Sequence, residues 1–497
     1  MAGCAGPTAP ATFDLGAANR VFAVGYQNIY DLYIEPVDMG ELAVNGLNGL
    51  KEIDPALEIG RSGGKIQLVL GQIPVREFDS PDPGDTDGWA ALSAGVIAAA
   101  RRFSQPLDNG RAEEIYEAVF KAALSGLDGH SRYASADAAQ DYRAMREGFG
   151  GIGIKPRFDG QEVKVAAVLP DTPADRSDLK VGDLITHIDG VPAAGRTRKE
   201  VIRQLRGQVG SRVSLTVNRR GVADPIIVRI KRALIIPPMV HFERKGNIAY
   251  LRITGFNLNT AYSLAHALKR AKGEMGPELK GIVMDLRNNP GGLLEEAVGV
   301  ADVFLASGRI VSTRGRHPDS QQLFEAGGGD LAGSLPLVVL VNGRSASAPE
   351  IVAAALQDRG RAVLVGTNSY GKGTVQNITR LPNDGELILT WSRMHAPSGY
   401  SWHRLGLLPT ICTSLGGDDA AEILEKLRRG LLRTAVTLAA WRAAAGGDQQ
   451  KLAGLRKACP REESKRDIDL DLALQLLADR RLYAQALELS AAALPAP

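Results

Sequence analysis

Neither sign of charge prevails in this chain: 59 basic residues stand against 56 acidic ones, a net +3 over 497 residues. That is too little to argue for nucleic acid or an anionic membrane surface as a partner. No apolar run is long enough to span a bilayer. The 7 histidines are scattered without metal-ligand spacing, so neither a zinc site nor a histidine-based triad is supported, and no cofactor is expected. What is present is ordinary globular material, 44% hydrophobic and 23% charged, in a length that implies more than one domain.

The hydrophobic period changes along the chain. Residues 13–50 read helical, with Val21, Ile29, Leu32 and Tyr33 at helical spacing and a break at Pro36. Residues 65–78 are β-like, 80–85 form a Pro/Asp/Gly loop, and helical patterns return over 88–102 and 112–127. Short β-like runs follow at 163–169, 184–188, 213–217 and 226–230, interrupted by one helical pattern at 197–205. That is a compact domain of roughly ninety residues. From Gly246 strands and helices alternate, 248–253 with 260–271, 281–286 with 293–306, and 335–341 with 349–358, the pattern of an α/β core. After Thr413 the chain is mainly helical.

Three segments carry chemistry. Asn342-Gly343-Arg344-Ser345-Ala346-Ser347-Ala348-Pro349-Glu350 follows an apolar strand and opens a helix. A serine there sits beside the free N–H groups of the helix start, which can face a developing oxyanion, although either serine could equally be an N-cap. Gly371-Lys372-Gly373-Thr374-Val375-Gln376 follows another strand, and its glycines leave Lys372 room to turn inward. A lysine with the ordinary pKa of about 10.4 is neutral in only about one molecule in a few thousand at pH 7. Service as a general base therefore demands burial, at a cost of roughly 4–5 kcal/mol, and Gln376 could orient the amine. Leu286-Arg287-Asn288-Asn289-Pro290-Gly291-Gly292 ends a strand and presents glycine N–H groups at a turn.

Together these segments resemble the carboxyl-terminal processing peptidases, or tail-specific proteases, whose pattern has Asn-Pro-Gly-Gly, then Ser-Ala-Ser-Ala before a helix, then Gly-Lys-Gly-Thr-Val-Gln. Lys372 lies 25 residues after Ser347 and Gln376 lies 4 after Lys372, a spacing that selects Ser347 over Ser345. The resemblance extends from about Phe13 to Thr413. It implies Ser347 as nucleophile, Lys372 as general base, Gln376 as its orienting partner, and an oxyanion hole from Ala348 with Gly291 or Gly292. Pro349 departs from the family's usual serine, and Asp128-Gly129-His130-Ser131 replaces Asp-Pro-His-Ser, a change of little weight for the chemistry. The fold implied is α/β, a crotonase-like protease core with an inserted PDZ domain and helical N- and C-terminal regions.

The β-rich domain fits the same resemblance. Gly151, Ile152, Gly153 and Ile154 look like a PDZ carboxylate-binding loop that accepts a peptide C-terminus by β-augmentation, with the helix at 197–205 as the far wall. Gly148–Gly153 also matches G-x-G-x-x-G, but it lacks the preceding strand and following helix of a dinucleotide site. The near P-loop at 366–373 has Gly373 where Ser or Thr belongs.

The three cysteines are Cys4, Cys412 and Cys459. Read simply, they are unrelated thiols. Met1-Ala2-Gly3-Cys4 also looks like the end of a bacterial lipobox without its apolar leader, making Cys4 a lipidation site and residues 1–13 a tether. Cys412 and Cys459 then remain as a pair for a disulfide in an oxidising compartment. The organisation expected is a tether at 1–13, a mainly helical domain at 14–146, a PDZ domain at 147–235, the protease core at 236–413 and a helical region at 414–497. The location expected is the periplasm or cell envelope, with membrane contact only through the lipid. The partners expected are proteins or peptides with free C-termini; an adaptor protein and a homo-oligomer are left open. The rival readings are a PDZ-containing scaffold with an inactive core, and a latent protease that needs a partner or peptide for activation.

Overall fold

The computed structural model describes residues 13–414, 419–444, 449–461 and 467–491, so Cys4 and nearly all of the expected tether lie outside it. The chain forms two compact units, one of Tyr142–Met239 with Phe256–Ser263, the other of the remaining segments.

In the larger unit, helix Leu15–Leu32 begins at Asp14, whose carboxylate accepts from the Ala17 N–H at 3.0 Å. After Pro36 a second helix, Met39–Asn48, restarts at Asp38 in the same way. These two pack with helices Thr86–Arg101 and Ala112–Ser125 around Phe22, Tyr26, Trp89 and Phe120. Gly25 is needed there, because a Cβ would lie 2.6 Å from the Phe120 ring. The region also carries a three-stranded antiparallel sheet, Leu57–Ser62, Lys65–Leu70 and Ile73–Asp79, of which the hydrophobic pattern announces the last two. Leu381, Leu387 and Leu389 belong to the same core. The N-terminal helices thus bury their apolar face against strands far along the chain, which is why they share a unit with the α/β core.

That core is a six-stranded sheet in the order Val240–Lys245, Ile248–Ile253, Gly281–Asp285, Leu337–Val341, Val363–Gly366, Ile411–Cys412. The first pair is antiparallel and the rest parallel. Strands Gly281–Asp285 and Leu337–Val341 are buried at every position, as a sheet covered on both faces requires. Val283, Val338, Leu340 and Val363 pack against Ile423, Leu472 and Leu476. The C-terminal helices, to which the sequence assigns no role, therefore cover one face of the sheet. Cys412, at the end of the last strand, is bonded to Cys459 with Cα atoms 5.8 Å apart. A second sheet, Gln322–Ala326, Gly308–Gly315, Glu386–His395 and Thr374–Arg380, also pairs Arg132–Ala134 with Glu386–His395.

The smaller unit is an antiparallel sheet in the order Ile226–Lys231, Arg212–Asn218, Leu184–Ile188, Glu162–Val168, Ile154–Asp159. Helix Arg198–Leu205 opens with a capping box between Thr197 and Glu200. Val163, Ile185, Val201 and Leu215 form its core.

Candidate active site

Ser347 sits where strand Leu337–Val341 has ended and helix Ala348–Asp358 begins, with φ 66° and ψ −112°. A non-glycine residue in that region costs about 1–3 kcal/mol and persists only where its surroundings hold it. Here the holder is Glu350: the Ser347 N–H donates to its carboxylate at 2.8 Å. Ser345 has a different task. Its hydroxyl donates to the Leu286 carbonyl and accepts from the Asn342 N–H, both at 2.9 Å, which ties the serine loop to the end of the neighbouring strand. The two serines thus have different surroundings.

Glu350 also organises the lysine loop. Its fully buried carboxylate accepts from Ser369 Oγ at 2.5 Å, Gly371 N–H at 2.7 Å and Lys372 N–H at 2.9 Å. Burial pushes its pKa up, and these donors work against that push. The backbone of Lys372 is therefore tied to the backbone of Ser347 through one side chain. Burial is the first cause that lowers the Lys372 amine from its ordinary 10.5 to about 8, aided by Arg132 and opposed by Glu350 and Asp128. Gln376 lies on strand Thr374–Arg380 beside a register shift between Val375 and Gln376, a bulge that re-aims its side chain. Its amide nitrogen donates to Thr374 Oγ1 at 3.0 Å and Thr390 Oγ1 at 3.3 Å, which leaves its carbonyl end for other contacts.

The turn after Leu286 closes on the serine loop. Asn288 and Asn342 exchange hydrogen bonds at 3.0 and 3.1 Å, and the Ala346 N–H donates to the Asn289 carbonyl at 3.0 Å. Gly291 has φ 110°, and a Cβ there would lie 2.8 Å from the Ala346 carbonyl and 3.0 Å from Ser347 Cβ. Only glycine allows this approach. The Gly291 N–H donates to Asn289 Oδ1 at 2.9 Å, which braces the turn from within. Ala348 is the first residue of its helix, where the N–H has no intrahelical acceptor.

Sequence reasoning missed Glu350, quoted only as the end of a motif, although Ser-x-x-Glu before an apolar run is itself a local signal. It also underrated Asp128 and His130. The Asp128 carboxylate accepts from His130 N–H, Ser131 N–H and Ser131 Oγ, at 2.5, 2.8 and 2.7 Å. His130 is lowered by burial and by the charge of Lys372. His403, its ring 6.3 Å from that of His130, is lowered to about 4 by burial first, then by Arg404 and Arg393. Both imidazoles are thus biased toward the neutral form. They line a cavity of about 720 Å³ with Asp128, Arg393, Arg404 and Gly371.

In the smaller unit, Gly151, Ile152, Gly153 and Ile154 line a cavity of about 120 Å³ together with Ile202, Leu205 and Arg206. Gly153 has φ 87°, and a Cβ would lie 2.2 Å from Thr172, whose hydroxyl donates to the Leu169 carbonyl at 2.7 Å. The expected far wall, helix Arg198–Leu205, is therefore present at the loop.

Residues 247–413 match peptidase family S41, and residues 164–219 match a PDZ domain. A carboxy-terminal-processing protease of Bartonella bacilliformis is 42% identical over 301 residues, 60% of this chain and 69% of that protein. A probable CtpA-like serine protease of Staphylococcus epidermidis is 32% identical over 302 residues, 59% of this chain and 60% of its own length. Among solved structures, a photosystem II D1 C-terminal processing protease aligns with a TM-score of 0.41 at 22% identity, covering 82% of this chain and 96% of its own.

Proposed function

The chain belongs to peptidase family S41 and is a serine-type peptidase of the carboxy-terminal-processing kind, and from that premise we propose that it cleaves envelope proteins near their C-termini through a Ser347/Lys372 dyad. Neutral Lys372 takes the proton of Ser347 as its Oγ attacks the scissile carbonyl. The oxyanion is received by the amide of Ala348 and one from the Gly291/Gly292 turn. The Lys372 ammonium returns the proton to the leaving amine, and water then hydrolyses the acyl-enzyme with Lys372 again as base. The carbonyl of Gln376 orients the amine. The core is read as crotonase-like, within the domain plan set out above.

The observation that carries this reading is the buried Lys372, lowered to about 8, with its backbone on the same carboxylate as Ser347. With a pKa of about 8, roughly a tenth of the molecules hold a neutral amine at pH 7, against about one in a few thousand at the ordinary value. Activity on an unfolded protein such as casein is expected to rise with pH along a limb centred near 8. His130 and His403 are both pushed below their ordinary value and titrate on the acid side of it. A pH–kcat profile measured from 5 to 10 checks this, and a flat profile overturns the base assignment.

Substrate tails are taken by the loop at Gly151–Ile154, and the pocket walls at Ile202 and Leu205 favour an apolar terminal residue. Peptides ending in a free carboxylate after an apolar residue are expected to bind the Ser347→Ala protein, and Ile202→Asp is expected to weaken them about tenfold or more by placing a charge on an apolar wall. Fluorescence anisotropy with a labelled peptide reads this, and equal binding of the C-terminally amidated peptide would remove the carboxylate role. The site of action is the bacterial periplasm or envelope with Cys4 as lipid anchor, a reading supported by the Cys412–Cys459 bridge, since such bonds persist in oxidising compartments.

A further inference from the structure

The C-terminal region reaches the loop that bears Lys372. Helix Gln449–Arg456 leads to Cys459, bonded to Cys412, and then to Arg461. The Arg461 guanidinium donates to the Ser369 carbonyl at 2.9 Å and to the Tyr370 carbonyl, and it lies over the Tyr370 ring at 5.3 Å. Its aliphatic stem covers Gly343 in the serine loop, where an added Cβ would lie 3.0 Å from three of its carbons. Arg456 assists by donating to the Arg404 carbonyl at 2.7 Å and to the Ser369 carbonyl at 3.4 Å. The Arg404 N–H in turn donates to the Gly371 carbonyl at 2.8 Å, and the Tyr370 N–H donates to the Ser345 carbonyl at 3.0 Å. Carbonyls in an irregular loop need donors from elsewhere, and a planar guanidinium can serve two adjacent ones at once.

We propose that Arg461, anchored by the Cys412–Cys459 bridge, is a positioning residue that holds the Ser369–Lys372 loop against the serine loop and so sets where the Lys372 amine lies. The proposal rests on the reading of Lys372 as general base. Arg461 touches the backbone of the lysine loop and, through its stem, Gly343 of the serine loop, and not the reacting groups, so it is a positioning residue. The bridge explains how a residue so late in the chain can do this. Cys412 belongs to the parallel sheet from which the catalytic loops emerge, and Cys459 lies two residues before Arg461.

The charged and titratable groups that bear on Lys372 are Asp128, His130 and Arg132 from the N-terminal region and Glu350 from the helix after Ser347, with His403 and Arg404 next to the flanking glycines. Changing Arg461 leaves each of these residues in place, and Glu350 is the one among them whose charge Arg461 itself feels. A loosened loop lets water back to the amine, and its pKa climbs toward the ordinary value.

Arg461→Ala is therefore expected to lower kcat about 10- to 100-fold, as misplacement of a catalytic group by about 1 Å does. KM should be little changed, and the ascending limb of the pH–kcat profile should move to higher pH. Arg461→Lys, which keeps the stem against Gly343 and a donor for one carbonyl, should recover part of kcat and part of the limb's position. The double variant Cys412→Ser/Cys459→Ser should displace the limb in the same direction. A wild-type profile for Arg461→Ala overturns the proposal, and so does a loss of kcat with the limb in place, which is the mark of a merely structural role. Should Arg461→Ala not fold, Arg461→Lys carries the same two outcomes. The dyad is tested apart from this: an active Lys372→Ala sinks the base assignment, whereas an inactive Lys372→Ala beside an unaffected Arg461→Ala sinks only the positioning role.

Discussion

Ser347→Ala and Lys372→Ala should each take cleavage of unfolded casein to background while far-UV circular dichroism stays unchanged. Loss of a nucleophile or its base in acyl-transfer enzymes costs roughly 10⁴- to 10⁶-fold, because the members act as a unit. The fold should survive in both cases. Ser347→Ala keeps the backbone N–H that binds Glu350, and the backbone N–H of residue 372 likewise remains in Lys372→Ala. Lys372 also has a signature in stability. Its amine titrates near 10.5 when unfolded and near 8 when folded. Between those values the unfolded chain holds the extra proton, so stability rises with pH across the window. Below about pH 8 both states are protonated and the cost of burying the charge is present in full, at most about 3 kcal/mol for a shift of this size. Lys372→Met is thus expected to be more stable than the parent at pH 7, with the gain fading toward pH 11. Chemical denaturation at both pH values checks it, and full activity in either alanine variant would refute the mechanism.

The second large effect belongs to Glu350. Glu350→Ala should lower kcat by about 10²- to 10⁴-fold, since the strained Ser347 backbone and the lysine loop lose their common acceptor, and each stranded buried donor costs about 1–3 kcal/mol. The isosteric Glu350→Gln should rescue little. One carboxylate oxygen receives Ser369 Oγ and Gly371 N–H, the other Ser347 N–H and Lys372 N–H. Whichever oxygen becomes an amide NH₂ then faces at least one backbone N–H, two donors with no acceptor between them. Glu350 favours the charged form of Lys372, so whatever activity Glu350→Gln retains should have its ascending limb displaced to lower pH. That is opposite to the displacement expected for Arg461→Ala. A pH–kcat comparison of the two variants reads both signs, and an alkaline displacement for Glu350→Gln would overturn the electrostatic account.

Much of the candidate site is legible as local pattern. The strand-to-helix setting of Ser347 and the glycines around Lys372 are short-range features, and their mutual spacing singles out a pair. Glu350 was harder to see because its four donors come from two loops about twenty residues apart, and no period or turn rule links them. The N-terminal β-strand Leu57–Ser62 went unannounced because its exposed Glu58, Arg61 and Ser62 dilute the alternation of Leu57 and Ile59. The independence suggested for the mainly helical N-terminal region follows from pattern alone. The core it shares with Leu381, Leu387 and Leu389 is a long-range fact.

The sequence by itself singled out Ser347 and Lys372 as candidates, because their motifs and spacing resemble those of the carboxyl-terminal processing peptidases and motifs of adjacent residues are legible without the fold. It also marked the glycine loop at 151–154 of the smaller unit, whose Gly153 adopts a positive φ against Thr172. Only the tertiary structure decided how far Lys372 is depressed, since desolvation is imposed by whatever packs around the amine and not by its neighbours in the chain. It alone showed that the Gly291 amide is engaged by a side chain turned back from Asn289. And it alone brought the last helices over the sheet and Arg461 onto the lysine loop, contacts made between residues that share no periodicity and meet only because the chain folds back on itself.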